Sequence, residues 1–231
     1  MLEESVVASL RAAVPLPVKH AILRVVERDR DLVREVRRQA CVASARLVEG
    51  SMAGAHAYKT PAGVLDHALD AAPPTGIVAE FGVYSGATLR RIAARRPDAH
   101  GFDSFEGLPE DWRGTHPKGT FAVKDLPPVG TAELHVGWFA DTVPAFLDGT
   151  DGDAAFLHLD ADLYSSTDTV LRAFEDRIEA GTVLLFDEYF NYPGWQEHEH
   201  RAFGEFIERT GREYEYVAYN SRGEQVAVRM L

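Results

Sequence analysis

From residue 77 onward, short apolar runs alternate with stretches of helical periodicity, and this alternation restricts the chain to few folds. Each run is followed by a polar or glycine-containing turn, as expected for buried strands joined by helices. Five runs are predicted to be strands: Ile77–Phe81, His100–Phe102, Leu134–Val136, Ala154–Leu159 and Val183–Phe186. The pattern predicts an α/β protein with a mostly parallel sheet.

Helical patterns fill most of the intervals between these runs, and the C-terminal segment departs from the alternation. The predicted helices are Ala87–Ala94, Thr142–Leu147, Thr167–Ile178 and His198–Thr210. Two β-rich runs, Tyr214–Tyr219 and Gln225–Met230, are joined by Asn220-Ser221-Arg222-Gly223, which is typical of a hairpin. The sequence therefore predicts a Rossmann-like sheet of seven strands that ends in an antiparallel hairpin. A dinucleotide-binding fold would continue with parallel strands instead.

An amphipathic segment precedes this domain. Between Val18 and Glu49, apolar residues recur at three-, four- and seven-residue intervals, which predicts a helix. We expect a helical arm or lid over residues 1–72 and a ligand-binding domain over residues 73–231. The arm is expected to pack on its own domain or across a homodimer rather than on a membrane or a partner helix. Cys41, within the arm, is expected to be buried.

The charge distribution argues against a polyanionic partner. The chain has 24 Lys and Arg against 36 Asp and Glu, a formal net charge of -12, with the acidic excess after residue 50. Because clustered Lys and Arg supply most non-specific affinity for nucleic acids, we expect neither DNA nor RNA as a partner. Cys41 is the only cysteine, so no intramolecular disulfide can form. No signal peptide or membrane span is recognised, which predicts a cytoplasmic protein.

The first predicted strand leads into a glycine-containing turn that precedes a helix. Gly82 lets the backbone turn and approach a ligand, and the helix N-terminus offers free N–H groups. The turn lacks the G-x-G-x-x-G spacing that holds a pyrophosphate, because Tyr84 stands where glycine would be favoured. This favours a phosphate-free cofactor with a carboxylate, such as S-adenosylmethionine (SAM). The predicted contacts are Glu80, Gly82, Tyr84, Ser85 and Gly86, with Glu80 pairing with the ligand's ammonium group or with a backbone amide.

The ends of the next two strands supply further candidate contacts to the cofactor. Asp103, with Ser104 beside it, ends the second strand, where an acid commonly binds the ribose hydroxyls. A cap of the following turn is the alternative role of Asp103. After the third strand, Trp138 or Phe139 could stack on adenine, and Asp141 could touch the cofactor or cap the next helix.

Acidic residues end the fourth and fifth strands. Asp160 and Asp162 follow one strand, and Asp187 and Glu188 follow the other, so all four should lie at one edge of the sheet. They would repel one another unless a cation were present, and oxygen ligands indicate Mg²⁺ or another divalent cation. We predict Asp160, Asp187 and Glu188 as metal ligands, with Asp160 and Asp162 as catalytic residues and Asp162 as the general base. Helix capping is the alternative, above all for Asp162.

The two predicted sites together indicate methyl transfer from SAM to a hydroxyl group. A metal would lower the pKa of that hydroxyl, and a carboxylate would accept its proton. The segment 104–131 is too long for a simple connection and is predicted to be a functional loop. His158 is expected to be a core histidine, and His198 and His200 to lie on the surface. Four aromatic residues could form an acceptor wall or belong to the core: Tyr189, Phe190, Tyr192 and Trp195.

The joint order of these motifs resembles the macrocin O-methyltransferase family, metal-dependent enzymes that methylate sugar hydroxyls on antibiotics. The matching stretches are residues 80–86, 101–109, 137–144, 159–167 and 187–189. The resemblance implies a class I methyltransferase fold, SAM as the cofactor and a metal held by Asp160, Asp187 and Glu188, with Asp162 as a candidate base. Glu188 is a departure, because the family pattern has a second aspartate at this position.

The sequence therefore predicts a SAM-dependent, Mg²⁺-assisted O-methyltransferase. Its acceptor is expected to be a small polar metabolite, either a sugar or a natural-product intermediate in antibiotic biosynthesis. Three alternatives stay open: an N-methyltransferase on the same fold, a non-catalytic SAM-binding protein and an NAD(P)-dependent oxidoreductase. The first would need no metal, because a neutral amine requires no assisted deprotonation.

Overall fold

The computed structural model describes residues 31–231, together with Pro15, Pro17 and Val18. Helices and strands alternate over most of residues 31–231, and two short 3₁₀ turns lie at Glu175–Arg177 and Trp195–Glu197. In chain order the helices and strands are α1 (Leu32–Gly50), β1 (His56–Tyr58), α2 (Pro61–Ala71), β2 (Ile77–Phe81), α3 (Ala87–Ala93), β3 (His100–Asp103), β4 (Glu133–Val136), α4 (Phe139–Asp148), β5 (Ala154–Leu159), α5 (Tyr164–Ala173), β6 (Val183–Phe186), α6 (Glu199–Thr210), β7 (Tyr214–Asn220) and β8 (Val226–Met230).

The strands form one sheet in the order β1-β7-β8-β6-β5-β2-β3-β4. Only β8 runs antiparallel to its neighbours, and all other described pairs are parallel. This confirms the predicted Rossmann-like architecture with its C-terminal antiparallel hairpin. The predicted count of seven strands was wrong, because β1 adds an eighth strand beside β7. β1 has three residues and no fully buried position, so it leaves no alternating apolar pattern in the sequence.

The predicted helices after residue 77 are present, but two begin earlier than expected. α4 begins at Phe139 and α5 at Tyr164, three residues before their predicted starts. The residues before them, Trp138 and Leu163, make no side-chain capping hydrogen bond. The sequence signal for a helix start depends on such a cap, and here the signal is missing.

Within the predicted arm, α1 is helical and packs on its own domain. Asp31 caps α1 by accepting hydrogen bonds from the N–H groups of Val33 and Arg34. Ser44 is buried, and its Oγ accepts a hydrogen bond from the Asn191 N–H at 2.8 Å. Residues 19–30 of the predicted arm lie outside the described residues, and a homodimer through the arm stays a prediction. Cys41 is exposed, so its predicted burial was wrong.

The rest of the predicted arm, residues 51–72, contributes to the sheet. β1 pairs with β7, and α2 buries Val64, Leu65, Ala68 and Leu69 on the face of the sheet that α3 also covers. These residues pack with the sheet although they precede residue 73, where the sequence predicts a domain boundary. That boundary stays a prediction.

Two buried clusters cover the two faces of the sheet, and the central strands β2 and β5 are buried at every residue. Because both faces of a parallel sheet are covered, side chains reach solvent mainly at the strand ends. A ligand can therefore approach at the carboxyl ends of the strands. Among the residues that the structure describes, no helix is both long and apolar enough to cross a membrane.

Candidate active site

The carboxyl ends of strands β2 to β6 border a cavity of about 280 Å³. Its walls come from the turn after β2, the loop after β3, the start of α4 and the acidic ends of β5 and β6. The lining residues are Gly82, Tyr84, Asp103, Ser104, Gly107, Leu108, Pro109, Trp112, Phe121, Gly137, Trp138, Phe139, Asp160, Ala161, Asp162, Ser166 and Glu188. The predicted functional loop, residues 104–131, thus forms part of the wall.

The glycine turn depends on the absence of a side chain at Gly82. Gly82 has a φ of +95°, and a Cβ at this position would overlap the carbonyl oxygen of Asp160. Its N–H donates to the carbonyl of Phe102, so neighbouring strands hold the turn on both sides. The turn therefore brings bare backbone to the cavity, as the sequence predicted.

Asp103 fastens this turn to the next strand. Its Oδ2 accepts hydrogen bonds from the N–H groups of Val83 and Tyr84, each at 2.8 Å. Its Oδ1 accepts a third bond from the Phe105 N–H at 2.7 Å. The turn-capping role is therefore present, and Oδ1 keeps one lone pair for a ligand in the cavity. The contact of Asp103 with a ribose stays a prediction.

Exposed aromatic rings stand at the mouth of the cavity. Tyr84 is 51% exposed and meets Phe121 edge to face, with ring centroids 5.6 Å apart. Trp138 is exposed at the start of α4, whereas Phe139 packs edge-on against Phe81 in the core. Of the two residues that could stack on adenine, Trp138 is the one with a free face.

Five predicted site residues do not line the cavity: Glu80, Ser85, Gly86, Asp141 and Asp187. Glu80 is 1% exposed and pairs with His158 at 2.9 Å, not with a backbone amide. Asp141 lies exposed in the first turn of α4. The contacts of Glu80, Ser85, Gly86 and Asp141 with a cofactor stay predictions.

The four acids at the ends of β5 and β6 form two groups that share Asp160. In the first group, one carboxylate oxygen each of Asp160, Asp162 and Glu188 lies within 4.8 Å of the others. In the second, a ring nitrogen of His158 and one carboxylate oxygen each of Asp160 and Asp187 lie within the same distance. The predicted metal set of Asp160, Asp187 and Glu188 is thus divided between the two groups. Asp187 and Glu188 are adjacent, and successive side chains at a strand end point to opposite faces.

Asp187 is held away from the cavity by its partners. Its Oδ2 accepts a hydrogen bond from Gln225 Nε2 at 3.0 Å, and its Oδ1 lies 3.6 Å from His158 Nε2. Burial alone would raise the pKa of Asp187, but the nearby charged His158 and the hydrogen bond from Gln225 outweigh it and lower that pKa. Asp187 is therefore the acid of this group that the protein itself keeps ionised.

The acids that face the cavity have raised pKa values, unlike Asp187. Burial, followed by the charge of Asp187, raises the pKa of both Asp160 and Glu188 well above the usual range. Burial raises the pKa of Asp162 to about 7, although Arg113 acts against the rise. Glu188 Oε2 is also buried without a hydrogen-bond partner. An all-oxygen group with an unpartnered buried oxygen fits a hard divalent cation such as Mg²⁺.

His158 lies beneath these acids and is buried, as predicted. Burial would lower the pKa of His158, but Asp187 and Glu80 on its two sides raise it well above the usual value. A charged imidazolium would offset part of the negative charge of the cluster. His158 is therefore a core histidine whose partners are site carboxylates.

Glu199 belongs to the site but was not predicted. It is fully buried on α6, and its Oε2 accepts a hydrogen bond from the Glu188 N–H at 2.9 Å. Helical spacing could have indicated that Glu199 is buried, because it precedes the other buried residues of α6 by three, four and seven positions. These are Ala202, Phe203 and Phe206.

The prediction that His198 and His200 lie on the surface was wrong. Both are partly buried, and His200 packs against Trp195.

Arg113 is a second residue that the sequence did not indicate. Its guanidinium lies between the rings of Trp112 and Tyr192, at 3.9 and 3.5 Å from their centroids, and pairs with Glu224. Stacking and ion pairing fix this charge near Asp162.

Four aromatic residues are buried and do not line the cavity, so they belong to the core: Tyr189, Phe190, Tyr192 and Trp195.

Comparisons with known proteins indicate a methyltransferase domain. Residues 79–189 match a family described as "Methyltransferase domain". A curated relative from Streptomyces olivaceus, 8-demethyl-8-(2,3-dimethoxy-alpha-L-rhamnosyl)-tetracenomycin-C 4'-O-methyltransferase, is 30% identical over 144 residues. The alignment covers 49% of this chain and 53% of the relative, so the chain spans about half the length of that protein.

Solved structures share the fold. The calicheamicin methyltransferase CalS11 superposes with a TM-score of 0.58 at 21% identity, covering 97% of this chain and 90% of its own. The O-methyltransferase NovP has a TM-score of 0.54 at 21% identity, covering 72% and 76%. The class I methyltransferase fold and the family resemblance are thus confirmed. Over residues 79–189, the chain is thus similar to a methyltransferase domain.

Proposed function

We propose that this protein transfers the methyl group of SAM to a hydroxyl of a sugar or sugar-bearing natural-product intermediate, assisted by Mg²⁺. One observation carries the proposal: Asp160, Asp162 and Glu188 face the same cavity as the glycine turn and Trp138. The methyl donor and a cation could therefore be held side by side. The curated relative, named as a rhamnosyl 4'-O-methyltransferase, supports a sugar hydroxyl as the acceptor.

The cofactor end of the cavity offers shape and hydrogen bonding. Gly82 permits close approach of the ligand to the backbone, and Asp103 Oδ1 has a lone pair for a ribose hydroxyl. Trp138 offers a ring face to the adenine. With the cofactor bound in this way, its reactive end would lie toward β5, where Asp160 begins the acidic wall.

The acidic end is suited to deprotonating a hydroxyl. A bound Mg²⁺ would lower the pKa of the acceptor hydroxyl. Asp160 and Glu188 would hold the ion, and either Asp162 or Asp187 would complete the ligand set. Asp162, with its pKa of about 7, is suited to accept the hydroxyl proton near neutral pH. Bound SAM would supply the methyl group to this oxygen, and its sulfur would retain the electron pair of the broken carbon–sulfur bond.

Two matched variants distinguish a ligand from a base. Asp162→Asn and Asp187→Asn each remove one charge without changing side-chain size. The general base should show a large fall in kcat with little change in Mg²⁺ affinity. The third ligand should show a loss of Mg²⁺ affinity of about tenfold or more. We expect the first pattern for Asp162→Asn, measured by calorimetry and steady-state kinetics. Because Asp187 is bound to Gln225 and does not line the cavity, the second pattern in Asp187→Asn would require its side chain to turn toward Asp160 when the ion binds.

The function itself is tested by binding first and turnover second. We expect SAM and S-adenosylhomocysteine to bind the purified protein in calorimetric titrations. We also expect sugar hydroxyls in a panel of nucleotide sugars and glycosides to gain one methyl group, with turnover lost on removal of Mg²⁺. Absence of SAM binding would overturn the proposal. Methylation of amines without a cation would favour an N-methyltransferase, and SAM binding without turnover would favour a non-catalytic role.

A further inference from the structure

Two histidines and a glutamate meet at the outer edge of the sheet, away from the cavity. His100 begins β3, whereas Asp103 at its other end lines the cavity. His100 pairs with Glu133 of the edge strand β4, and Phe102 pairs with His135. Because alternate residues of a strand share a face, the register places the three polar side chains on one side of the sheet.

We propose that His100, Glu133 and His135 form a binding site for a transition-metal cation of the Zn²⁺ class. His100 Nδ1 lies 3.1 Å from His135 Nε2, and Glu133 Oε2 lies 3.8 Å from His100 Nδ1. One ligand atom from each residue lies within 4.8 Å of the others. Two nitrogens bound to one tetrahedral Zn²⁺ lie roughly 3.3 Å apart, so the imidazoles already have the required separation and need only turn their lone pairs toward the ion.

Neighbouring aromatic rings hold the two imidazoles in place. Phe102 stacks on His135 with centroids 4.5 Å apart. Phe146 of α4 packs against both rings, at 4.6 Å from His100 and 5.1 Å from His135. Without an ion, His100 and His135 are joined by a single hydrogen bond between their ring nitrogens. A bound cation would take the place of the hydrogen atom in that bond. The ligands are thus arranged before the ion arrives, which lowers the entropy lost on binding.

The ligand chemistry separates this site from the acidic cavity. Imidazole nitrogens suit Zn²⁺, Cu²⁺ and Ni²⁺, whereas Mg²⁺ requires oxygen ligands. Glu133 has a side chain that is 69% exposed, so solvent reaches the ion and water would complete the coordination. An ion here would tie edge strand β4 to β3.

The test is a Zn²⁺ titration of untagged, chelator-treated protein by calorimetry, with Mg²⁺ at saturating concentration. His158, Asp160 and Asp187 offer a competing group, so the titration is repeated in an Asp160→Asn background. We expect one equivalent of Zn²⁺ to bind with unchanged affinity in both proteins. Loss of all Zn²⁺ binding in the Asp160→Asn background would overturn the proposal, as would absence of binding to the parent protein.

Variants at the site decide the assignment. His100→Gln and His135→Gln should each weaken Zn²⁺ binding by about tenfold or more. Glu133→Gln changes an exposed side chain, leaves folding intact and should weaken binding about threefold. His56→Gln is the matched control, because His56 also packs on a histidine ring, that of His67 at 4.7 Å. Equal affinities in the control and in the three site variants would overturn the proposal.

Discussion

Among single residues, Gly82 faces the tightest steric constraint in the site. A Cβ there would overlap the carbonyl oxygen of Asp160, and the backbone has a φ of +95°. We expect Gly82→Ala to destabilise the protein by at least about 1–3 kcal/mol from backbone strain, with the overlap adding to it. SAM binding should also be lost. Urea unfolding and calorimetry measure the two effects.

Gly152 provides the control for Gly82. Its φ is +96°, yet a Cβ at this position would meet nothing within 4 Å. Gly152→Ala should therefore show the backbone strain alone and leave SAM binding unchanged. Equal loss of stability in the two variants, with SAM binding retained in both, would contradict the steric role of Gly82.

Glu199 combines a useful hydrogen bond with an unfavourable charge. Burial raises the pKa of Glu199 well above the usual value, so stability is present at low pH and falls as pH rises and the group ionises. Glu199→Gln keeps an oxygen that can accept the Glu188 N–H and removes the charge. Without divalent cations, we expect this variant to melt above the parent protein at pH 8 and close to it at pH 5.

Glu199→Ala separates the hydrogen bond from the charge. It leaves the Glu188 N–H without its acceptor, which costs about 1–3 kcal/mol. Thermal unfolding should therefore place Glu199→Ala below Glu199→Gln at both pH values. The reverse order would show that the hydrogen bond to Glu188 contributes little.

The residues also show what a sequence can and cannot specify in a site. The acids at the ends of β5 and β6 follow from counting residues after each apolar run. Counting residues does not predict the side-chain directions of Asp187 and Glu188, because these directions depend on the residue at which the strand ends. Arg113 and Glu199 were missed because their roles come from contacts distant in sequence, with Glu224 and with the Glu188 N–H.

At the scale of elements, α1 is held to the domain by few polar contacts. Ser44 Oγ accepts from the Asn191 N–H and donates to the Ala40 carbonyl. We expect Ser44→Ala to cost about 1–2 kcal/mol and to speed proteolysis within α1, because Asn191 loses its acceptor. Val42→Ala, on an exposed side chain of the same helix, is the control and should change neither measurement.

Elements differ in how visible they are in the sequence. β2 and β5 are buried at every residue, and their apolar runs predicted them with correct bounds. β1 was missed because pairing with β7, and not local pattern, makes it a strand. Early helix starts at Phe139 and Tyr164 were missed because neither helix has a side-chain cap.

For the whole molecule, the acidic cavity links stability to pH and to cations. The raised pKa values of Asp160, Asp162 and Glu188 mean that the fold favours their protonated forms. The associated stability is present at low pH and is lost as pH rises through about 7, the value for Asp162. A divalent cation competes with these protons and favours the ionised forms.

We therefore expect Mg²⁺ to raise the melting temperature more at pH 8 than at pH 6. Each kcal/mol of binding should correspond to about 2–4 °C for a chain of this size. Thermal unfolding at pH 6, 7 and 8, with and without Mg²⁺, measures the effect. Glu188→Gln should reduce the rise in melting temperature that Mg²⁺ causes. A Mg²⁺ shift that is the same at all three pH values would contradict a carboxylate site.

The order of strands also determines when the sheet can be completed during synthesis. His56 in β1 pairs with Ala218 in β7, and β8 inserts between β7 and β6. Until β7 and β8 have left the ribosome, β6 is an open edge and β1 has no partner. Nascent or truncated chains therefore expose strand edges that favour aggregation, and C-terminal deletions should yield insoluble protein even though the proposed catalytic residues are all present.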